Sequence, residues 1–180
     1  DIVTIPHGVD HDRFHPDPDA EDADLDALRR IGVHPPFVAF AGTLEPRKDV
    51  PTLVEAFSRI APEHPDLRLV LAGGDGGGAD AVRRAVGNSG VTTRIVRPGY
   101  VDGAVLPALY RRAAAVAYPS LEEGFGLPVL EALACGAPTV TTRGTAMADV
   151  ADAAALLVDR GAPDQLAAAL ETCLTDSNTE

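Results

Sequence analysis

Tryptophan is absent from this 180-residue chain, and aromatic residues make up only 4% of it. Any platform for stacking on a flat ring must therefore come from few side chains, with Tyr100, Tyr118 and Phe125 the main candidates. Cysteine is nearly as scarce, and Cys135 and Cys173 alone cannot make a disulfide framework. Positive charge is short too: 15 Lys and Arg stand against 27 Asp and Glu, for a net charge of -12. That balance excludes a general nucleic-acid binder, which carries a basic field, but leaves room for a local basic site. No apolar run reaches the roughly 18 residues of a membrane span. The opening Asp1, followed by the β-like run Ile2-Val3-Thr4-Ile5, is not expected to be a secretory leader. We expect a soluble, cytoplasmic chain with reduced thiols.

What is present is apolar and ordered. The 46% hydrophobic content suits one domain over residues 1–180, large enough to bury roughly 70% of its unfolded surface. Short β-branched runs alternate with helical stretches. Strands are expected at Phe37–Ala41, Leu67–Ala72, Arg94–Val96, Ala115–Tyr118, Thr139–Thr141 and Leu156–Val158. Helices are expected at Val50–Ile60, Ala79–Val86, Ala104–Ala113, Pro128–Cys135 and Pro163–Cys173. Runs such as Leu69-Val70-Leu71-Ala72 are apolar throughout, as parallel strands covered on both faces must be. The pattern predicts an α/β fold, a Rossmann-like doubly wound parallel sheet. Residues 1–36 read as a lead-in linker and a small helix near Leu25 to Arg30. The Gly73–Gly78 patch reads as a flexible loop.

In such a sheet, ligands sit beyond the carboxyl ends of the strands. The loop after Tyr118 is Pro119-Ser120-Leu121-Glu122-Glu123-Gly124-Phe125-Gly126, with Leu127 and Pro128 opening a helix. Glycines before a helix let a ligand approach bare N–H groups at the positive end of the dipole, which favours phosphate. Glu123 stands just before this mouth, and Glu131 about one turn inside leans back toward it. Two carboxylates flanking an anion site suit a molecule with hydroxyls on both sides of a diphosphate. The loop after Ala41 is Gly42-Thr43-Leu44-Glu45-Pro46-Arg47-Lys48-Asp49. Cations at a helix start oppose its dipole, so Arg47 and Lys48 point to an anionic ligand.

The run from Pro119 through Glu123, Gly124, Phe125, Gly126, Leu127 and Glu131 to Val140 resembles the signature of retaining GT-B glycosyltransferases of family 4, also called group 1. Glu123 and Glu131 match that family's Glu, seven residues, Glu spacing. The resemblance spans nearly the whole chain, from Ile5-Pro6-His7-Gly8-Val9-Asp10 to Leu157-Val158-Asp159. It implies that Glu123 contacts the donor sugar, that Gly126 and Leu127 hold phosphate, and that Glu131 binds the ribose. It implies that Arg47 and Lys48 grip the diphosphate as catalytic cations, that Gly42 and Thr43 border the donor, and that Val101 meets the base. The Gly42–Asp49 loop is similar to mannosyltransferase-like members, which suggests GDP-mannose, with a UDP-linked donor also compatible.

That likeness implies the donor-binding half of a transferase acting on a glycan or lipid acceptor, peripheral at the inner membrane face when complete. An amino-terminal acceptor domain is expected elsewhere, so this chain is expected to bind donor without efficient transfer. Two departures stand out. Asp49 occupies a position where Asn or Gly is commoner, and it is expected to cap the helix. In Thr145–Asp152, Asp149 stands for a family Glu and the glycine of a Pro-Glu-Val-Ala-Gly-Asp type run is lost.

Other chemistries fit less well. Gly74-Asp75-Gly76-Gly77-Gly78-Ala79 matches a dinucleotide pattern, but the acid required after the next strand is replaced by Arg97-Pro98. His7, His11 and His15 could face one way only on a helix, which Pro6, Gly8 and Pro16 oppose. No metal or organic cofactor is expected. A glycosidase pair would need both acids facing one cavity. Cys135 sits in a small-residue helix and reads as packing. A sugar-nucleotide epimerase, a phosphorylase and a non-catalytic donor-binding partner domain remain the alternatives.

Overall fold

The structure, a computed structural model, describes residues 7–176. The Ile2–Ile5 run and the Ile5-Pro6 start of the matching segment lie outside them. Among the described residues, six parallel strands form one sheet: β1 (Phe37–Ala41), β2 (Arg68–Ala72), β3 (Ile95–Gly99), β4 (Ala115–Tyr118), β5 (Thr139–Thr142) and β6 (Leu156–Val158). Their order is β3-β2-β1-β4-β5-β6. The chain winds outward from β1 in one direction and then restarts beside it with β4. This is the doubly wound arrangement, with its switch point between β1 and β4. The register pairs Ala39 with Val70 on one side and with Val116 on the other, which places β1 at the centre. All five β1 residues are buried, as two covered faces require.

Among the described residues, seven α-helices flank the sheet: α1 (Glu21–Arg30), α2 (Val50–Ile60), α3 (Ala79–Asn88), α4 (Leu106–Arg111), α5 (Leu127–Ala134), α6 (Ala146–Ala151) and α7 (Pro163–Asp176). In α2 the buried residues Val50, Leu53, Val54, Phe57 and Ile60 recur every three or four positions and form one apolar stripe. Fully burying a side chain such as Phe57 is worth about 1.5–3 kcal/mol.

Residues 7–36 are packed into this body. Phe14, Leu28 and Val33 belong to the core. Asp24, only 3% exposed, receives two hydrogen bonds from Arg111, at 2.6 and 2.9 Å, and one from Arg112 at 3.0 Å. Burial alone would raise its carboxyl, but the two guanidiniums outweigh burial and hold it below the usual aspartate value. This triad ties α1 to the end of α4. Nothing local in the sequence announces it, because 87 residues separate the partners.

Two expectations change. The Gly73–Gly78 patch is a packed loop, not a flexible one. Leu44 N–H donates to Gly74 O at 3.0 Å and Gly78 N–H to Leu44 O at 2.8 Å. The strand-end loops after β1 and β2 thus zip together beyond the sheet. The segment after Gly144 forms α6, a helix too short and too rich in small residues to stand out by periodicity. It ends at Asp152, whose φ of 47° and ψ of -127° suit glycine far better than a residue with a Cβ. This is the position of the lost family glycine, three residues after Asp149. Asp152→Gly is therefore expected to stabilise the chain by about 1 kcal/mol, or a roughly 2–4 °C rise in thermal midpoint. A fall in midpoint by calorimetry would contradict that account.

Candidate donor site

The loops after β1 and β4 meet at the switch point, and their charged residues meet with them. Lys48 Nζ and Arg47 Nη1 both bind Glu123, the latter at 2.7 Å to Oε2. Ser120 Oγ donates to Glu123 Oε1 at 3.2 Å. Backbone contacts fix the same junction: Leu121 N–H donates to Arg47 O at 2.7 Å, and Arg47 Nη1 reaches Glu122 O at 3.2 Å. Read from the sequence, Glu123 and the cations serve opposite parts of a ligand across the cleft. In the structure they form one cluster. Burial would raise the Glu123 carboxyl, but the bonds and charges of Lys48 and Arg47 overcome it and hold it below the usual glutamate value.

Asp49 explains how the loop delivers these cations. Its backbone is left-handed, at φ 47° and ψ 40°. Asn, Asp and Gly tolerate that conformation best. Its carboxylate accepts from Thr52 Oγ1 at 2.7 Å in the first turn of α2. Burial raises its carboxyl, with the Thr52 bonds opposing.

Beside the cluster, a cleft of about 240 Å³ opens at the strand ends. Gly42 and Thr43 after β1, Gly73 and Gly74 after β2, Tyr100 and Val101 after β3, and Glu131 on α5 line it. Lys48 is not part of the lining but packs near Gly42, where an added Cβ would lie 4.0 Å from Lys48 Cε. The structure thus gathers Gly42, Thr43, Val101 and Glu131 in one cavity, with Arg47, Lys48 and Glu123 at its side. Phe125 sits apart from the cavity lining, half-buried, with its ring edge-on to His7 at 4.8 Å. Gly124 is exposed.

The start of α5 depends on Gly126. Its φ is 99°, and an added Cβ would lie 2.8 Å from Met147 Cγ on α6. Only glycine meets both conditions. No side chain caps the helix, Leu127 is exposed, and Pro128 has no N–H to satisfy. The helix mouth therefore keeps an open positive end.

Glu131 connects the cleft to the core. Tyr118 OH donates to Ala41 O at 3.1 Å, lies 3.0 Å from Tyr110 OH, and Tyr110 OH lies 3.5 Å from Glu131 Oε2. Tyr110 is the donor in the last of these contacts, at the long limit of a hydrogen bond. Burial raises the Glu131 carboxyl, and the charge of Arg13 and the Tyr110 hydroxyl oppose this without cancelling it. Burial also raises both tyrosines, so they stay protonated. Tyr118, fully buried in this chain, cannot serve as a stacking platform, contrary to the sequence expectation. Tyr110 and Arg13 are the site residues that sequence reading missed. Tyr110 looked like one more apolar position of a helix.

Cys135 is buried, and burial pushes its thiol up to about 11, as a packing role requires. Among the described residues, no group of three or more His, Cys, Asp or Glu converges as a metal site would, and no helix is long and apolar enough to cross a membrane.

Comparison with known proteins gives this geometry a family. A family model described as glycosyl transferases group 1 matches residues 26–180. The O-antigen chain mannosyltransferase B of Escherichia coli is 35% identical over 144 residues, covering 79% of this chain and 38% of that protein. The D-inositol 3-phosphate glycosyltransferase of Corynebacterium glutamicum (strain R) is 34% identical over 187 residues, covering 99% of this chain and 44% of that protein. The chain therefore spans less than half the length of either. Among solved structures, the C-terminal domain of the group 1 family glycosyl transferase LpcC from Francisella tularensis superposes with a TM-score of 0.80 at 24% identity. That match covers 95% of this chain and 90% of that domain, and it shows the shared fold, the carboxy-terminal half of a GT-B architecture. On the matched span and the two relatives, this chain belongs to the group 1 glycosyltransferases.

Proposed function

We propose that this chain is the nucleotide-sugar donor domain of a retaining family 4 glycosyltransferase that transfers a hexose to a glycan or lipid. Mannose from GDP-mannose is the first donor to test, in keeping with the mannosyltransferase relative. The acceptor is held by a separate amino-terminal domain, and transfer needs both halves to exclude water and align the reactants. One observation carries the reading: the paired cations Arg47 and Lys48 on Glu123, and a cleft lined by the half-buried Glu131, both stand on the segments that follow the carboxyl ends of the strands.

The chemistry follows from charge. A donor diphosphate presents a better partner for Lys48 and Arg47 than a single carboxylate does. As it takes the cations, Glu123 is released toward the sugar hydroxyls. The same cations neutralise the charge that develops on the departing diphosphate, so no metal enters the proposal. Glu131, accepting from ribose hydroxyls, holds the other end.

Nucleoside diphosphates are expected to stabilise the fold, and a calorimetric panel of GDP, UDP and ADP tests this. Lys48→Ala and Glu131→Gln should each weaken binding by roughly tenfold or more, since charged hydrogen bonds contribute about 1.5–3 kcal/mol. Glu131→Gln carries a second signature. Its folded value lies above the ordinary 4.5, so its contribution to stability is full below 4.5 and is lost as pH rises through the raised value. At neutral pH the glutamine variant should thus melt no lower than the parent while binding worse. Absence of any thermal shift with millimolar nucleoside diphosphate would sink the donor reading.

A further inference from the structure

Residues 10–17 hold one arginine, Arg13, among three aspartates, Asp10, Asp12 and Asp17. A charge in that setting reads as a solvated surface group, and Arg13 is exposed. Its hydrogen bond nevertheless goes to none of the three acids. Arg13 Nη2 donates to Gly103 O, 90 residues away in the loop between β3 and α4. The contact is close: a Cβ on Gly103 would lie 2.7 Å from Arg13 Nη2.

The whole segment is laid along α4. Phe14 N–H donates to Asp10 O at 2.8 Å, and Phe14 is buried while Arg13 stays outside. The Arg13 guanidinium lies over the Phe14 ring, 4.6 Å from its centroid, and that ring packs on Tyr110 at 6.1 Å. At the far end of α4, Arg111 donates to His15 O at 3.4 Å and Arg112 to Asp17 O at 3.3 Å. Arg13 is thus fixed at the start of α4. The same helix supplies Leu106 and Tyr110 to the cleft that Glu131 lines. The groups facing Glu131 are Arg13 from this segment, Tyr110 from α4, Tyr118 from β4 and Cys135 after α5. Burial keeps both tyrosines and the thiol protonated at neutral pH, so of these four Arg13 carries the charge.

We propose that Arg13 is a positioning residue of the donor site. Anchored on Gly103 O, it is the counter-charge that holds the Glu131 carboxylate ready for the ribose hydroxyls, so donor binding depends on the segment that leads into the domain. This rests on the donor reading above. A neighbouring cation favours the ionised form of a half-buried carboxyl, and the ionised form is acceptor-only, as paired hydroxyls require.

Isothermal calorimetry on the intact chain tests this with GDP, UDP and inorganic pyrophosphate. Arg13→Met keeps an apolar stem over Phe14 and removes the charge. It is expected to weaken nucleotides by about threefold to fivefold, the size of a coupling between partly screened neighbours, and to leave pyrophosphate unchanged. In the Glu131→Gln background the same change should cost nothing further. A pH series adds a signature that a mere support of the loop would not give. Burial raises the Glu131 carboxyl and Arg13 opposes the rise. Without the cation the carboxyl rises further, so nucleotide affinity in Arg13→Met should fall off at a higher pH than in the parent, with pyrophosphate as the reference. Unchanged nucleotide affinity, an equal loss for pyrophosphate, an unmoved acid limb or an undiminished loss in the Glu131→Gln background would each overturn this role while leaving the donor reading intact. Failure of the parent chain to bind any nucleotide overturns both.

Discussion

Glu123→Gln is expected to lower the thermal midpoint of the ligand-free chain by roughly 6–12 °C and to tighten its grip on inorganic diphosphate about tenfold. The two effects have one cause. The side chains of Glu123 and Lys48 are 8% and 9% exposed, so their ion pair is shielded from water. Removing one partner of such a pair costs about 3 kcal/mol or more, because the other charge is left buried. In a domain of this size each kcal/mol moves the midpoint by roughly 2–4 °C. Arg47 adds little to the loss, since its side chain is 49% exposed and its pairing is screened. Diphosphate must displace Glu123 from the parent but meets no competitor in the variant. It should accordingly restore most of the lost midpoint. Affinity for an intact nucleotide sugar should rise less, because the sugar loses its carboxylate.

The pH dependence has a definite sign. The Glu123 carboxyl is held below its ordinary 4.5, so its stabilising contribution is complete above 4.5 and is lost as pH falls through the lowered value. Glu131 acts in the opposite direction, its contribution fading as pH rises through a value above 4.5. Glu123→Gln should flatten the acid limb of the stability profile. An unchanged midpoint and an unchanged acid limb would show that desolvation cancels the attraction within the cluster.

Much of this architecture was legible in the sequence because it rests on local pattern. The bounds of β1, β4, β6 and α2 follow directly from continuous apolar runs or from a single apolar stripe. The helix mouth at Gly126 was legible because glycine before a Leu-Pro start has few other uses. Pairing over distance was not. The Glu123 and Lys48 partners are 75 residues apart, and the Asp24 and Arg111 partners 87. Each charge alone reads as surface. Tyr110 read as an apolar position and Tyr118 as a stacking candidate, and only their placement in the fold reveals a hydroxyl chain ending at Glu131. Composition misled at one place. A glycine-rich patch suggests freedom, and here it records close contact.

Gly73→Ala makes that last point measurable, and its expected effect is the largest in the chain. A Cβ on Gly73 would lie 2.0 Å from Gly42 O, a backbone atom that cannot swing away, and the φ of 146° is strained for any other residue. The two strand-end loops would have to separate, breaking the Gly42 N–H bond to Ala72 O and the Gly73 N–H bond to Gly99 O. A loss of about 4 kcal/mol or more is expected, together with loss of nucleotide binding. The neighbouring glycine is the control. A Cβ on Gly74 meets nothing within 4 Å, so Gly74→Ala should stay within about 0.5 kcal/mol of the parent in stability. Gly76→Ala should fall between them, since its nearest contact is Glu45 Oε1 at 2.4 Å, the end of a side chain that can move. A flexible loop would tolerate all three alike. Denaturant titration of the three variants therefore separates a mobile glycine tract from the rigid wall that a preorganised donor cleft needs.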